Sequence, residues 1–191
     1  MSHSRTGYRL GVNTSWLAPV RAAAARVSAD ARRNAVAYGA RDADRPLGGY
    51  VRTMTVYAGT TGALALIARS RGVRLPSSVP LGDVALLSVA TYRLSRLISK
   101  DAITSPLRAR WTRFVEPAGP GEVVEEVRRD GAAHATGELL TCPFCLAQWV
   151  ATGFVFAYVI RPTPTRWVAA TLTAITGSNL LQFVHARAEP D

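Results

Sequence analysis

The two cysteines of this 191-residue chain stand three residues apart, in the run Cys142-Pro143-Phe144-Cys145. Proline is favoured at the first position of a helix, so the spacing predicts a helix that begins at Pro143, with Cys142 as its cap. Both sulfurs then lie near the positive end of the helix dipole, where a thiolate is stabilised. The motif is therefore suited to thiolate chemistry, and three interpretations of it stay open.

In the metal interpretation, Cys142 and Cys145 supply half of a tetrahedral zinc site, because structural sites usually use four protein ligands. Candidate further ligands are His134, Glu138 and His185, and a site shared by two copies of the chain is the other arrangement. In the redox interpretation, one thiol attacks a disulfide and the other resolves the mixed species, although the usual strand-helix context is absent. In the structural interpretation, both cysteines act as small apolar residues at a helix entrance.

Other catalytic templates are missing from the sequence. There is no Walker-type glycine loop, no G-x-S-x-G elbow and no H-E-x-x-H motif. A pair of carboxylates could exchange protons, but acidic residues in loops are usually solvated; the candidates are Glu116, Glu122, Glu125, Glu126 and Glu138. The sequence therefore favours a protein without enzymatic activity, with thiol chemistry as the exception.

The net charge of +10 comes from arginine apart from a single lysine, Lys100. Basic and aromatic residues are not interleaved as in nucleic-acid-binding motifs, so nucleic acid is disfavoured as a partner. Attraction to anionic lipid headgroups explains the same charge. The predicted partners are a lipid bilayer, together with a second copy of the chain or another membrane protein.

The elements that position the cysteines are predicted from four apolar stretches, which are separated by charged segments. A helix that spans a membrane needs about 20 predominantly apolar residues. We therefore predict an all-α integral membrane protein with four transmembrane helices, at about 51–68, 81–98, 143–160 and 166–184. The third contains the cysteine pair, and Arg161-Pro162-Thr163-Pro164 turns the chain into the fourth.

The remaining segments are predicted to be polar. Residues 1–50 form an Arg/Ala-rich arm with one cytoplasmic or interfacial helix, from about Ser15 to Tyr38, and residues 51–191 form the membrane domain. The loop 99–141 is expected to be cytoplasmic and to contain a short helix at 121–129. Basic residues are denser on the side of the two termini and this loop, so the positive-inside rule places both termini in the cytoplasm.

Charged and aromatic residues at the ends of the predicted segments have alternative roles. Arg93 and Arg96 lie on one helix face, and they either extend to the membrane interface or pair with Asp101 or a loop carboxylate. Trp149 is expected near a membrane interface, as tryptophans of an aromatic belt are.

Several of these residues together resemble a known family. The stretch Ala90-Thr-Tyr-Arg-Leu-Ser-Arg-Leu-Ile98, then Asp101 and Pro106-Leu-Arg108, precedes Gly137-Glu-Leu-Leu-Thr-Cys-Pro-Phe-Cys145 and Trp149. Over roughly Leu81 to Val184 the chain is similar to the small bacterial membrane proteins grouped as domain of unknown function 1360. The matching positions are Arg93, Arg96, Asp101, Pro106, Glu138, Cys142, Pro143, Cys145 and Trp149.

The resemblance implies a protein of the bacterial cytoplasmic membrane, labelled a sporulation protein in some spore formers, and it implies no established activity. We therefore expect a multi-pass scaffold or docking protein whose cysteine turn forms a structural or zinc site at the cytoplasmic face. The alternative is a membrane thiol oxidoreductase or redox sensor that uses Cys142 and Cys145.

Overall fold

The computed structural model describes residues 47–128 and 132–189, together with the single helical positions Ala29 and Arg33. The chain divides into two compact units between Gly48 and Gly49, and nearly all described residues belong to the second unit. Apart from those two positions, the helix predicted from Ser15 to Tyr38 lies outside the described residues.

Helices form most of the described part, and a two-stranded antiparallel sheet lies in the sequence between the helices Ser105–Arg108 and Ala132–Thr141. The helices are α1 (Leu47–Ser70), α2 (Leu81–Ser99), α3 (Ser105–Arg108), α4 (Ala132–Thr141), α5 (Pro143–Ile160) and α6 (Pro162–Ala188), with a 3-10 turn (Ala102–Thr104) before α3. The strands are β1 (Thr112–Gly119) and β2 (Glu122–Val127).

Prolines define the starts of three helices. Pro80 is the N-terminal cap of α2, and α5 and α6 carry Pro143 and Pro162 at their first positions. The fixed φ of proline suits this place, and its missing N–H is not needed there. Arg161 alone joins α5 to α6, and its N–H donates to the carbonyl of Ala157 at 2.8 Å. The helical hairpin predicted around Arg161 is therefore present.

The apolar core lies where α2, α5 and α6 meet. Ala90 and Ala169 are completely buried, and Phe154 is 7% exposed. Partly buried side chains surround them, namely Leu86, Leu87, Leu94, Val150 and Leu172. The hydroxyl of Thr173 donates to the carbonyl of Leu86 at 3.4 Å, so the face of α6 that carries Ala169 and Thr173 packs against α2.

The prediction of four transmembrane helices is wrong. Within residues 47–128 and 132–189, Pro143–Ile160 is the one helix with the length and apolar composition to cross a membrane. The segment 81–98 is helical but contains three charges, Asp83, Arg93 and Arg96. The segments 51–68 and 166–184 are helical too, but glycines and hydroxyl or amide side chains dilute their apolar content. The multi-pass topology, and the cytoplasmic placement of both termini derived from it, therefore lose their support.

The prediction of an all-α fold is also wrong, because the region 99–141 contains the sheet. Thr112 pairs with Val127 at one end of the hairpin and Gly119 with Glu122 at the other. Gly119 and Gly121 flank the turn with φ of 147° and 74°, values that side chains with a Cβ avoid.

The short helix predicted at 121–129 is instead strand β2. Its valines have β-branched side chains, which favour a strand over a helix. The same predicted loop also contains α4, a helix of 10 residues that leads directly into the cysteine turn.

Candidate functional site

The cysteine turn lies between α4 and α5. Cys142 has extended backbone angles and is the N-cap of α5, with Pro143 at the first helical position, as the sequence predicts. Its Sγ accepts a hydrogen bond from the backbone N–H of Cys145 at 3.2 Å. This sulfur takes the place that a serine or aspartate oxygen usually has at a helix start. Both thiols are free, Cys142 partly exposed and Cys145 exposed.

Glu138 of α4 lies one helical turn before Cys142, and it connects the cysteine turn to α1. The hydroxyl of Tyr50 in α1 donates to one carboxylate oxygen at 2.5 Å, and His134 Nε2 lies 3.4 Å from the other. The N–H of Cys142 donates to the carbonyl of Glu138 at 3.0 Å. Glu138 therefore contacts α1 through its side chain and the cysteine turn through its backbone.

The predicted zinc ligands do not come together as a complete site. In the part of the chain that the structure describes, no three His, Cys, Asp or Glu side chains are placed to hold a metal ion. His185 lies in the last turn of α6 and pairs with Glu189 at 3.1 Å. Within the described residues of one molecule, Cys142 and Cys145 therefore provide at most two of the four ligands of a tetrahedral zinc site.

Two arginines at the end of α2 bind carboxylates that follow it in the sequence. Arg93 donates to both oxygens of Asp101, at 3.2 and 2.6 Å. Arg96 donates to both oxygens of Glu122, at 2.6 and 2.8 Å. These forked contacts give geometric specificity as well as attraction. Of the two alternatives for these arginines, the structure has the ion pairs.

A third pair, between Arg108 and Glu125, is more deeply enclosed. Arg108 is completely buried, and it donates to Glu125 at 2.7 and 2.9 Å and to the carbonyl of Ile98 at 2.6 Å. The hydroxyls of Ser105 and Thr112 donate to the same carboxylate at 3.0 Å each. Burial raises the pKa of Glu125, but the hydrogen bonds from Arg108, Thr112 and Ser105 outweigh it and leave that pKa below its ordinary value.

Arg108 and Glu125 were not predicted as a pair from the sequence. Glu125 is one of several glutamates in the predicted loop, and Arg108 belongs to the stretch that resembles the family. A signal was present in the Gly119-Pro120-Gly121 turn between two short valine-containing runs, because glycines around a turn between such runs indicate a hairpin. A hairpin would have brought the two strands, and with them these charges, together.

A further polar cluster lies at the end of α5 that is remote from the cysteine turn. Asp83 accepts hydrogen bonds from Arg166 at 2.8 and 2.5 Å and from the hydroxyl of Tyr158 at 2.5 Å. The bonds from Arg166, followed by that from Tyr158, hold the pKa of Asp83 below its ordinary value despite its burial. The guanidinium also lies over the Tyr158 ring, 5.5 Å from its centroid. The cluster connects α2, α5 and α6.

Helix α1 contacts α5 through one tyrosine. The hydroxyl of Tyr57 shares a hydrogen bond with Thr152 at 2.7 Å and accepts one from Gln148 at 2.9 Å. Its ring meets Trp149 edge to face, with centroids 5.0 Å apart. Trp149 thus has a packing role, and its location at a membrane interface stays a prediction.

Comparisons with known proteins match the region that contains the arginine pairs and the cysteine turn. The family model described as "Protein of unknown function (DUF1360)" matches residues 86–185. The chain is similar to "Sporulation protein YjcA" of Bacillus subtilis (strain 168), with 31% identity over 97 residues that cover 49% of this chain and 81% of that relative. No solved structure matches. Asp83 and all of α1 lie outside the matched region.

Proposed function

We propose that this chain, which belongs to the DUF1360 family of proteins of unknown function, is a non-enzymatic scaffold anchored to a membrane by α5. One observation carries the proposal: α5 is apolar over 18 residues, yet only 17% of it is buried within the molecule. The core helix of a soluble protein would be mostly buried. Lipid is the surrounding that best suits such an exposed apolar surface.

The length of α5 and the polar groups at its ends support this anchoring. A helix of 18 residues extends about 27 Å, close to the roughly 30 Å of a bilayer's hydrocarbon core. Glu138 and the cysteine turn lie at one end, and the Asp83 cluster lies at the other. Polar groups at both ends of an apolar helix are the distribution that two membrane interfaces favour.

The scaffold role is supported by the pairing of the acidic side chains that follow α2 in the sequence. The carboxylates of Asp101, Glu122 and Glu125 each bind an arginine side chain, so they stabilise the fold around α2 and α3. Large apolar side chains are nevertheless exposed in this region, including Ile103 and Phe114. Exposed apolar groups among charged ones suit a protein partner. The name of the Bacillus subtilis relative suggests sporulation as the process in which to seek that partner.

The anchoring is tested by placing a charge on the exposed side of α5. Val155 is 56% exposed, and V155R would put a guanidinium against lipid. An arginine near the centre of a spanning helix costs about 3 kcal/mol on insertion scales, so the membrane-bound fraction of the full chain should fall severalfold. Cell fractionation with carbonate extraction measures that fraction.

The matched control is L107R, because Leu107 is 63% exposed but lies in α3, outside the proposed anchor. The L107R chain should stay membrane-bound to the same extent as the wild type. If V155R and L107R fractionate alike, or if the wild type is released by carbonate without detergent, α5 is not a membrane anchor.

A further inference from the structure

We propose that Cys142 and Cys145 form a reversible dithiol/disulfide site that exchanges with low-molecular-weight disulfides. They are the two cysteines of the chain, so neither has a competing thiol within the same molecule. The proposal rests on the geometry of the turn and does not require that α5 span a membrane.

The local structure holds the two sulfurs close together. Cys142 caps α5 and Cys145 follows within the first helical turn, and Pro143 restricts the backbone between them. The Sγ of Cys142 accepts the Cys145 N–H at 3.2 Å, so this sulfur lies against the residue that carries the second thiol. A disulfide between them therefore requires only small movements of the side chains.

The exposure of the pair distinguishes it from a purely structural cap. The helix cap is formed by the sulfur of Cys142 and the backbone N–H of Cys145, so it does not involve the exposed thiol of Cys145. Structural cysteines are typically buried and unreactive, whereas exchange requires access for a second disulfide. The exposed Cys145 thiol beside the capping sulfur meets that requirement.

Exchange proceeds in two balanced steps. The Cys142 thiolate, stabilised by the Cys145 N–H, attacks one sulfur of the small disulfide, forms a mixed disulfide and releases one small thiolate, which takes up a proton. The Cys145 sulfur then attacks Cys142 Sγ, the mixed S–S bond breaks, and the second small thiol leaves with the proton of Cys145. The protein loses two electrons and two protons, and the small disulfide gains them as two thiols.

The same turn is connected to α1, so the thiol state can influence more than the cap. The N–H of Cys142 donates to the carbonyl of Glu138, whose side chain binds Tyr50. Cys142 is therefore two hydrogen bonds away from Tyr50, and disulfide formation at its sulfur would change the helix cap beside this contact.

The test uses the full chain in detergent, first reduced and then incubated with glutathione disulfide under anaerobic conditions. Intact-mass measurement should show the wild type losing about 2 Da, the mass of two hydrogen atoms, without a lasting adduct. The C145S variant should stop at one glutathione adduct on Cys142. The C142S variant should react more slowly, by about tenfold, because the remaining thiol lacks the capping position. Dithiothreitol should return all species to the reduced mass.

The double variant C142S/C145S is the control for other mass changes, and circular dichroism of each variant checks that it folds. Stable glutathione adducts on the wild type would overturn the proposal, as would no reaction in the folded chain while the denatured chain reacts. An adduct that accumulates on C142S but not on C145S would overturn the assigned roles. None of these results depends on membrane insertion, so they are independent of the V155R experiment.

Discussion

Arg108 and Glu125 form the most deeply enclosed of the arginine–carboxylate pairs described above. Arg108 is completely buried, and the side chain of Glu125 opposite it is only 6% exposed. A buried ion pair adds little net stability over apolar residues, because both charges lose their hydration. Once the pair exists, however, removal of one member leaves the other charge without compensation. The pair therefore favours one position of the β1–β2 hairpin against α2 and α3 over other positions, in which a charge would be buried alone.

We expect R108A to lower the free energy of unfolding by about 3–5 kcal/mol, because Glu125 would stay buried without its cation. Urea unfolding followed by tryptophan fluorescence measures this loss. The matched control is R113A, since Arg113 pairs with Glu126 on the exposed side of the same hairpin, with side chains 69% and 49% exposed. Its effect should stay below about 1 kcal/mol, and equal losses in both variants would contradict the argument.

Among the elements, α1 is the long helix with the fewest connections to the rest. It contributes no residue to the core formed by Ala90, Phe154 and Ala169, and most of its side chains are exposed. Its contacts described above are those of Tyr50 with Glu138 and of Tyr57 with α5. Local opening is easiest where few apolar contacts must be broken, so α1 should open before the α2, α5 and α6 core.

Y57F should therefore increase amide hydrogen exchange within α1 by about five- to tenfold, the effect of losing about 1 kcal/mol of hydrogen bonding. Hydrogen exchange with mass spectrometry of the purified chain measures this rate. Y92F is the control, because Tyr92 lies on α2 with half of its side chain exposed. Equal exchange in α1 of Y57F and the wild type would mean that other contacts hold this helix.

The same elements also show where local sequence was insufficient. The run Glu122 to Val127 was predicted as part of a helix, and it forms a strand because β1 provides a partner for its backbone. The start of α5 was predicted correctly, because Pro143 constrains its own backbone whatever surrounds it. An element that depends on its own residues could be predicted, whereas the glycine turn of the sheet indicates a hairpin without showing which residues pair across it.

Across the whole molecule, stability depends on the junction of α2, α5 and α6. Two completely buried alanines, Ala90 and Ala169, allow the helices to approach closely around Phe154. The Asp83 cluster connects the same three helices at one end. The small size of Ala90 and Ala169 therefore contributes to the packing together with the apolar side chains around them.

A90L should destabilise the protein by about 1–3 kcal/mol, because the added carbon atoms have no space in a packed interior. Thermal unfolding followed by circular dichroism measures the shift in Tm. A85L places the same side chain on an exposed position of α2, and its effect should stay within about 0.5 kcal/mol. A melting temperature of A90L equal to that of A85L would show that the junction is loosely packed.

Features that depend on neighbouring residues could be predicted from the sequence alone: the helix start at Pro143, the cap at Cys142, the turn at Arg161 and the family pattern. Which polar groups meet is known only from the packing of the folded chain. Arg166 and Asp83 lie 83 residues apart, and Tyr57 and Thr152 lie 95 apart. Backbone preferences act over a few residues, whereas the partner of a charge and the extent of its burial depend on the packing of distant segments. The number of membrane helices was overestimated for a local reason, because charges, glycines and hydroxyl or amide side chains dilute the apolar content of three of the four segments.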